Sequence, residues 1–463
     1  MFQLFFDREQ ELEFLEKHYG TQAAEFIVIY GRRRVGKTEL TLKFSRGKPH
    51  IYFLVDRRPE SQLILELKQE MSRHLQDESF AKLALNDWTE LFQEFTKWNK
   101  NEHVVIIIDE FPMLIESDHA ITSIFQKIWD QNLKNTRTML VLLGSSVAMM
   151  ETEVLDYKSP LYGRRTAQWK LEPLRLPDII PFFPKYDLET LVHVYGCLGG
   201  VPAYLRKFNT QLSFWENVKQ KILQKGEFLY EEAEFLLREE LREPRNYAAI
   251  LKAIAQGAKS YGEILNETGM DKSMLSKYTS VLEDLGFVKR IYPIGAKAKP
   301  RKGQYAIADN YLNFWFRYVF PNKMELETGN ITPILGKIRK DYNNYLGRIF
   351  EEIVSELLKE MQRKHRLPFA FTEIGKWWYK DTEIDLVAID DGSLTTTFVE
   401  TKWSSLANRD VQRIINNLKS KTQHFRWIRK KENYAIVAKR IAEKRQLRDK
   451  GCLILDLEDF EKL

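Results

Sequence analysis

Phe26-Ile27-Val28-Ile29-Tyr30-Gly31-Arg32-Arg33-Arg34-Val35-Gly36-Lys37-Thr38 decides how this chain folds. Its five leading apolar residues predict a buried strand. They run into Gly31 through Thr38, a complete G-x-x-x-x-G-K-T loop, and helix-forming sequence follows from Glu39. In such a loop the backbone N–H groups of Gly31, Arg32, Arg33, Arg34, Val35 and Gly36 converge on phosphate oxygens. Lys37 reaches the terminal phosphates, and the Thr38 hydroxyl is a ligand for Mg²⁺. Strand, loop and helix agree with the motif, so Gly31 through Glu39 are expected to cradle a nucleoside triphosphate such as ATP.

Working outward, Ile51-Tyr52-Phe53-Leu54-Val55 predicts a second strand. His103-Val104-Val105-Ile106-Ile107-Ile108-Asp109-Glu110-Phe111-Pro112 predicts a central parallel strand ending in two acids. Acids at the carboxyl end of such a strand lie beside the phosphate loop. There Asp109 would hold Mg²⁺ and Glu110 would polarise the attacking water. The strand from Thr138 to Leu143 ends at Gly144-Ser145-Ser146, where a small polar residue either senses the terminal phosphate or caps a helix. Pro160-Leu161-Tyr162-Gly163-Arg164-Arg165 follows. Its arginines, Arg164 ahead of Arg165, read either as a solvated turn or as an arginine finger. A finger is most useful at a subunit interface, which points to an ATP-dependent homo-oligomer. Helical stretches alternate with the strands, so the expected core is α/β, a parallel sheet covered on both faces.

Composition bounds the rest. At 463 residues the chain suggests about three domains. Its 44% hydrophobic and 29% charged residues are those of a globular chain, not a disordered one. No apolar run approaches the roughly 20 residues of a membrane span. The N-terminus lacks a basic segment followed by a sustained apolar one. Cys197 and Cys452 have no metal-binding spacing, and free thiols in a reducing cytoplasm are expected. A net charge of +6 permits nucleic-acid binding without demanding it.

Several blocks in order resemble the archaeal-type ATPases, an AAA-like branch of P-loop proteins related to the signalling ATPases with numerous domains. The blocks are Tyr30 through Thr38, Ile108 through Pro112, Leu161-Tyr162-Gly163-Arg164, and Gly199-Gly200-Val201-Pro202-Ala203-Tyr204-Leu205. The resemblance implies an extra strand between the two nucleotide motifs and a helical lid after Pro173. It also implies that Pro202 lies against the adenine ring. Taken from the residues alone, Gly-Gly-Val-Pro is a helix-breaking turn. The boundaries expected are 1–172 for the ATPase core and 173–244 for the lid.

From Tyr247 the pattern changes. Two amphipathic helices, a third capped by Asp271, and a strand pair closed by Gln304-Tyr305-Ala306-Ile307 predict a winged helix over 245–320. Lys272, Ser273, Ser276 and Lys277 fall on the exposed face of its third helix, and Lys297, Lys299, Arg301 and Lys302 on its wing. They read either as contacts to DNA phosphates or as the surface of a domain that only packs. The aromatic run from Tyr311 to Tyr318 reads as core. Gly329, Pro333 and Gly336 mark 321–344 as a linker.

The remaining residues, 345–463, carry a second chemistry. Glu351 lies on an opening helix, Asp385 on a strand from Thr382 to Ile389, and Glu400 and Lys402 on the strand after it. Two apart in an extended chain, Glu400 and Lys402 point to one face. Asp385 and Glu400 would share one Mg²⁺, Glu351 would complete its shell or anchor the first strand, and Lys402 would stabilise developing charge. Glu383 is the alternative ligand, and Gln412 a candidate for touching water or substrate. The order resembles the PD-(D/E)XK nucleases, and the segment resembles the domain of unknown function found C-terminal to archaeal-type ATPases. The fold class expected is therefore an AAA-like parallel-sheet core with helical lid, winged helix and a C-terminal restriction-endonuclease-like α/β domain. The function these readings imply is a cytoplasmic ATPase whose nucleotide state controls a Mg²⁺-dependent nuclease acting on DNA. The alternative is a nucleotide-driven switch or DNA-loading ATPase whose last domain does not cut.

Overall fold

Strands β1 (Glu25–Tyr30), β3 (Val104–Asp109) and β4 (Thr138–Gly144) are buried at every position, as their unbroken apolar sequences require. With β2 (His50–Leu54) and β5 (Ala167–Lys170) they form a parallel sheet in the order β2-β3-β4-β1-β5. Alternate residues of each strand enter different cores. Phe26, Val28, Ile106, Ile108, Leu140 and Leu142 meet the helices Glu60–Leu75 and Trp88–Trp98 through Leu67, Phe92 and Phe95. Ile27, Ile29, Val105, Ile107, Val141 and Leu143 meet Leu40 and Phe44 of the helix Lys37–Ser45 on the other side. Because β4 lies between β1 and β3, the loop leaving β1 and the acids ending β3 flank the end of β4.

The computed structural model describes residues 8–241, 243–296, 303–444 and 452–461. They form two compact units, Met1–Pro173 with Val201–Ala203 and Asp284–Gly286, and Leu174–Gly200 with Tyr204–Glu283 and Phe287–Leu463. In the second unit, helices Pro244–Gln256, Tyr261–Thr268 and Lys272–Asp284 precede an antiparallel ribbon of β6 (Val288–Ile291) and β7 (Gln304–Ile307). Lys297, Lys299, Arg301 and Lys302 lie outside the described residues. Past the ribbon strand β6, the Ile294 amide donates to the Lys376 carbonyl at 2.8 Å, and the Ile294 side chain joins the core of the C-terminal sheet. Tyr311, Leu312, Phe314, Trp315 and Phe316 are fully buried, so this aromatic run is core.

The expected linker over 321–344 is corrected. Lys323–Glu327 is a helix, and Ile331–Arg363 is a single helix of 33 residues. Pro333 falls in its first turn, where the missing N–H has no intrahelical acceptor to lose. Gly336 is carried by a long buried stripe including Ile334, Ile338, Tyr342, Leu346 and Phe350. The C-terminal sheet has the order β12-β11-β10-β9-β8. β8 (Glu373–Tyr379), β9 (Thr382–Asp390) and β10 (Thr395–Leu406) are antiparallel, whereas β10, β11 (Lys431–Ile441) and β12 (Cys452–Asp456) are parallel. The helix Asn408–Thr422 connects β10 to β11 and covers one sheet face with Leu418.

Gly199-Gly200 has a packing reason of its own. Helix Leu188–Leu198 ends at Gly199, and the Leu174 amide donates to the Gly200 carbonyl at 2.8 Å. A Cβ on Gly200 would overlap the Leu174 carbonyl oxygen, a backbone atom that cannot rotate away. Gly200→Ala is expected to destabilise the second unit by about 1–3 kcal/mol, the scale of a forced backbone shift. Urea unfolding would measure this, and an unchanged midpoint would contradict the close approach.

Candidate functional site

The phosphate loop is shaped by Gly36, whose φ of 97° lies in the region that side chains disfavour. Lys37 is buried and donates to the carbonyls of Gly31 at 2.8 Å and Arg32 at 3.1 Å. Burial pulls its ammonium down to about 8, and the charges of Glu110 and Asp109 oppose that fall. Asp109 is 2% exposed. Its Oδ2 accepts from Thr38 Oγ1 at 2.6 Å and from the Tyr52 hydroxyl at 2.9 Å, and its Oδ1 accepts from the Glu110 amide at 2.9 Å. Burial and the Asp109 charge hold the Tyr52 phenol protonated well above its usual range.

Glu110 adopts a left-handed conformation (φ 56°) at the start of the helix Phe111–Ser117, and Ser145 Oγ donates to its Oε1 at 2.5 Å. Ser145 thus steers the second acid, while Ser146 stands at the N-cap position of the short helix Val147–Met149 without a side-chain capping bond. Arg164 bonds Asp130 at 3.2 Å and the Tyr162 carbonyl at 3.2 Å; Arg165 bonds the Leu155 carbonyl at 3.3 Å. Pro202 begins the short helix Pro202–Leu205. A hydroxyl and a carboxylate oxygen as close as those of Thr38 and Asp109 are hard donors that fit Mg²⁺ beside a phosphate.

The second cluster lies where β9 and β10 part. Their ladder ends at Leu386 opposite Val399, one residue short of Asp385 and Glu400. Freed from the ladder, the Thr401 amide donates to Asp385 Oδ2 at 2.8 Å, joined by the Thr401 hydroxyl at 3.2 Å. Glu400 shares the parity of Phe398 and meets Lys421 of the helix Asn408–Thr422, whereas Asp385 sits where the register of β9 against β8 shifts and is placed beside Glu400 by its contacts to Thr401 and Lys402. Lys402 Nζ lies 2.9 Å from Glu400 Oε1 and 3.8 Å from Asp385 Oδ2. Burial works against its ammonium, but the two carboxylates outweigh that and raise its pKa. Two carboxylates converging on one cation are a donor set a divalent metal fits.

Glu351, expected to complete the metal shell or to anchor a strand, lies on the helix Ile331–Arg363. It pairs with Lys376 of β8 at 2.5 Å, and both line a cavity of about 160 Å³ whose walls include neither Asp385 nor Glu400. Burial pushes the Glu351 carboxyl up to about 7; Lys376 opposes this and Asp385 adds to it. Among the described residues, no three His, Cys, Asp or Glu side chains gather as a metal-binding group. Glu383 lies 3.8 Å from Lys259 instead, and the Gln412 amide nitrogen is buried without a hydrogen-bond partner.

Sequence reasoning missed Tyr52 and Lys421. Lys421 Nζ lies 3.2 and 3.1 Å from the two Glu400 oxygens. Its position one turn after buried Leu418 put it on the inward side of its helix, a readable signal. Tyr52 was readable as the one phenol in a short apolar strand beside the strand of Asp109.

Comparison with known proteins follows this division. Residues 5–208 match a family described as an ATPase domain predominantly from Archaea, and residues 315–414 a family of archaeal and bacterial proteins of unknown function. An uncharacterized protein of Methanocaldococcus jannaschii, MJECL04, is 42% identical over 457 residues, 99% of this chain and 100% of its own length. An uncharacterized ATP-binding protein of that organism, MJ0423, is 51% identical over 45 residues, 10% of this chain and 76% of its own. The Walker-type ATPase PABY2304 of Pyrococcus abyssi superposes with a TM-score of 0.51 at 22% identity, covering 68% of this chain and 96% of its own.

Tyr52 gives a specific test of the first site. Tyr52→Phe is expected to lower ATP turnover about tenfold, the scale of one hydrogen bond to a charged group. Nucleotide affinity without Mg²⁺ should stay at the wild-type value, whereas Lys37→Ala should lose both. Steady-state hydrolysis and fluorescent-nucleotide titration would check this, and wild-type turnover by Tyr52→Phe would remove the role.

Proposed function

This chain belongs to the ATPase family found predominantly in Archaea, and we propose that its ATP cycle controls a C-terminal site that cleaves DNA with Mg²⁺. ATP hydrolysis rests on the loop Gly31–Thr38, with Lys37 for the terminal phosphates and Thr38 and Asp109 as the residues that would hold Mg²⁺. Glu110, steered by Ser145, is positioned to orient the attacking water.

The observation that carries the nuclease reading is the convergence of Asp385 and Glu400 on Lys402 at an opened strand pair. Mg²⁺ bound by these two acids would polarise the scissile phosphate and lower the pKa of a bound water. Thr401 fixes Asp385 through two bonds, so that carboxylate is held oriented before substrate arrives. Lys402 would bind and stabilise the charge that grows on the phosphate oxygens.

DNA as the substrate draws support from three helices followed by a ribbon, which we read as a winged helix. Its third helix exposes Lys272, Ser273, Ser276 and Lys277. These residues suit phosphate contacts that position a duplex without reading its sequence. A non-cleaving reading has an observation in its favour too. Every carboxylate oxygen of Glu400 already faces an ammonium, which suits a domain that only binds.

A cleavage assay on single- and double-stranded DNA decides between them. With Mg²⁺ or Mn²⁺ the intact protein is expected to cut, and Asp385→Asn or Glu400→Gln to lose about a hundredfold or more, as for loss of an essential catalytic group. Lys37→Ala should make cutting indifferent to ATP. No cutting on either substrate would select the nucleotide-driven switch. For the DNA surface, Lys272→Ala with Lys277→Ala should reduce the slope of log affinity against log salt by about two. An unchanged slope would assign that helix to packing.

A further inference from the structure

We propose that Lys421 is a phosphate-binding residue that gates cation entry to the C-terminal site, releasing Glu400 to a divalent metal when a DNA backbone phosphate takes its ammonium. The inference rests on the nuclease reading above and adds a regulation of that same site.

Glu400 is 5% exposed, and a carboxylate so buried needs hydrogen bonds or opposite charge in place of water. Lys421 meets both its oxygens and Lys402 meets Oε1. Asp385 and Glu400 therefore face two ammoniums, and the four formal charges cancel. A divalent cation entering this arrangement would meet two like charges within a few ångströms, so it binds well only once an ammonium leaves.

The two lysines differ in how firmly they are held. Lys402 sits on β10, also reaches Asp385, and donates to the Thr401 carbonyl at 3.0 Å. Lys421 extends from the last turn of its helix on a flexible four-carbon stem, and its hydrogen bonds among the described residues go to Glu400. Of the two ammoniums it is the one whose side-chain anchor, among the described residues, is Glu400 alone. The same helix exposes Arg409 and Arg413, the latter paired with Asp410 at 3.3 Å, basic groups that a phosphate backbone reaching Lys421 would meet. A phosphate oxygen can take the Lys421 ammonium from Glu400 without leaving either charge unpaired, provided a metal arrives at Glu400 at the same time. Metal and DNA then assist each other, and by linkage each raises the affinity of the other by one common factor.

The test uses the full-length protein without nucleotide. Mn²⁺ binding is measured by calorimetry with and without a duplex whose linkages are phosphorothioates, which resist cutting. Heat that disappears in Glu400→Gln is assigned to this site. Wild type is expected to bind Mn²⁺ weakly alone and about tenfold more tightly with the duplex, within the usual range of coupling between sites. Lys421→Met should bind Mn²⁺ tightly without DNA and gain nothing further from it, while Lys421→Arg, which keeps the charge, should restore the DNA effect. Unchanged Mn²⁺ affinity and unchanged DNA effect in Lys421→Met would overturn the gate, even if wild type cuts DNA through Asp385. Absence of any Glu400-dependent Mn²⁺ binding in every variant, with or without DNA, would instead overturn the nuclease reading and the gate with it.

Discussion

A carboxylate almost sealed from water is the constraint on which the first unit depends. Asp109 ends a strand with no exposed face, where a charge persists only if hydrogen bonds replace its hydration. Its donors come from three places: Thr38 after the phosphate loop, Tyr52 on β2, and the Glu110 amide beyond β3. All three must be in register at once. The strand order meets that demand, because β2 pairs directly with β3, while β4 spaces the loop from the acids. Moving any of these strands by one residue would reverse its side chains and leave Asp109 short of a donor.

The second unit builds its site by interrupting a ladder. Paired antiparallel strands spend their amides on each other, so a side chain seldom finds a free backbone donor in mid-sheet. Where β9 and β10 separate after Leu386 and Val399, the Thr401 amide becomes available and Asp385 takes it. On the other side of β10, the register against β11 shifts between Lys402 and Ser405. The active-site candidates thus sit where pairing on both flanks of β10 is irregular, and irregular pairing re-aims side chains.

The core of the first unit was legible because its signals are local: unbroken apolar strands, a phosphate loop and a pair of acids. The C-terminal set was legible as an alternation on one strand plus an acid on its neighbour. Distances across the chain were not. Nothing in the order of Glu351 among the acids announces its ion pair with Lys376, on a strand twenty-five positions away. Lys421 carried a positional signal, one turn after Leu418, but a lysine near a helix end is ordinarily solvated. Only the burial of Glu400 gives it another task. Residues 321–344 misled for the opposite reason. Pro333 and Gly336 are strong local breakers, and a stripe of buried side chains over a 33-residue helix outweighs them.

The two sites satisfy buried carboxylates in physically different ways, and the difference bears on how each takes a cation. Asp109 is served by hydroxyls and an amide, which supply hydrogen bonds without cancelling its charge. Lys37 lies near enough to feel that charge, yet bonds loop carbonyls instead. Glu400 is served by ammoniums, which supply hydrogen bonds and cancel the charge together. Around Asp109 a negative field persists that a metal accompanying a nucleotide can enter by addition. Around Glu400 that field is already spent, so a metal enters only by replacement. On the proposed reading, a chain with one site of each kind binds nucleotide continuously and keeps its second site idle until an anion draws an ammonium away.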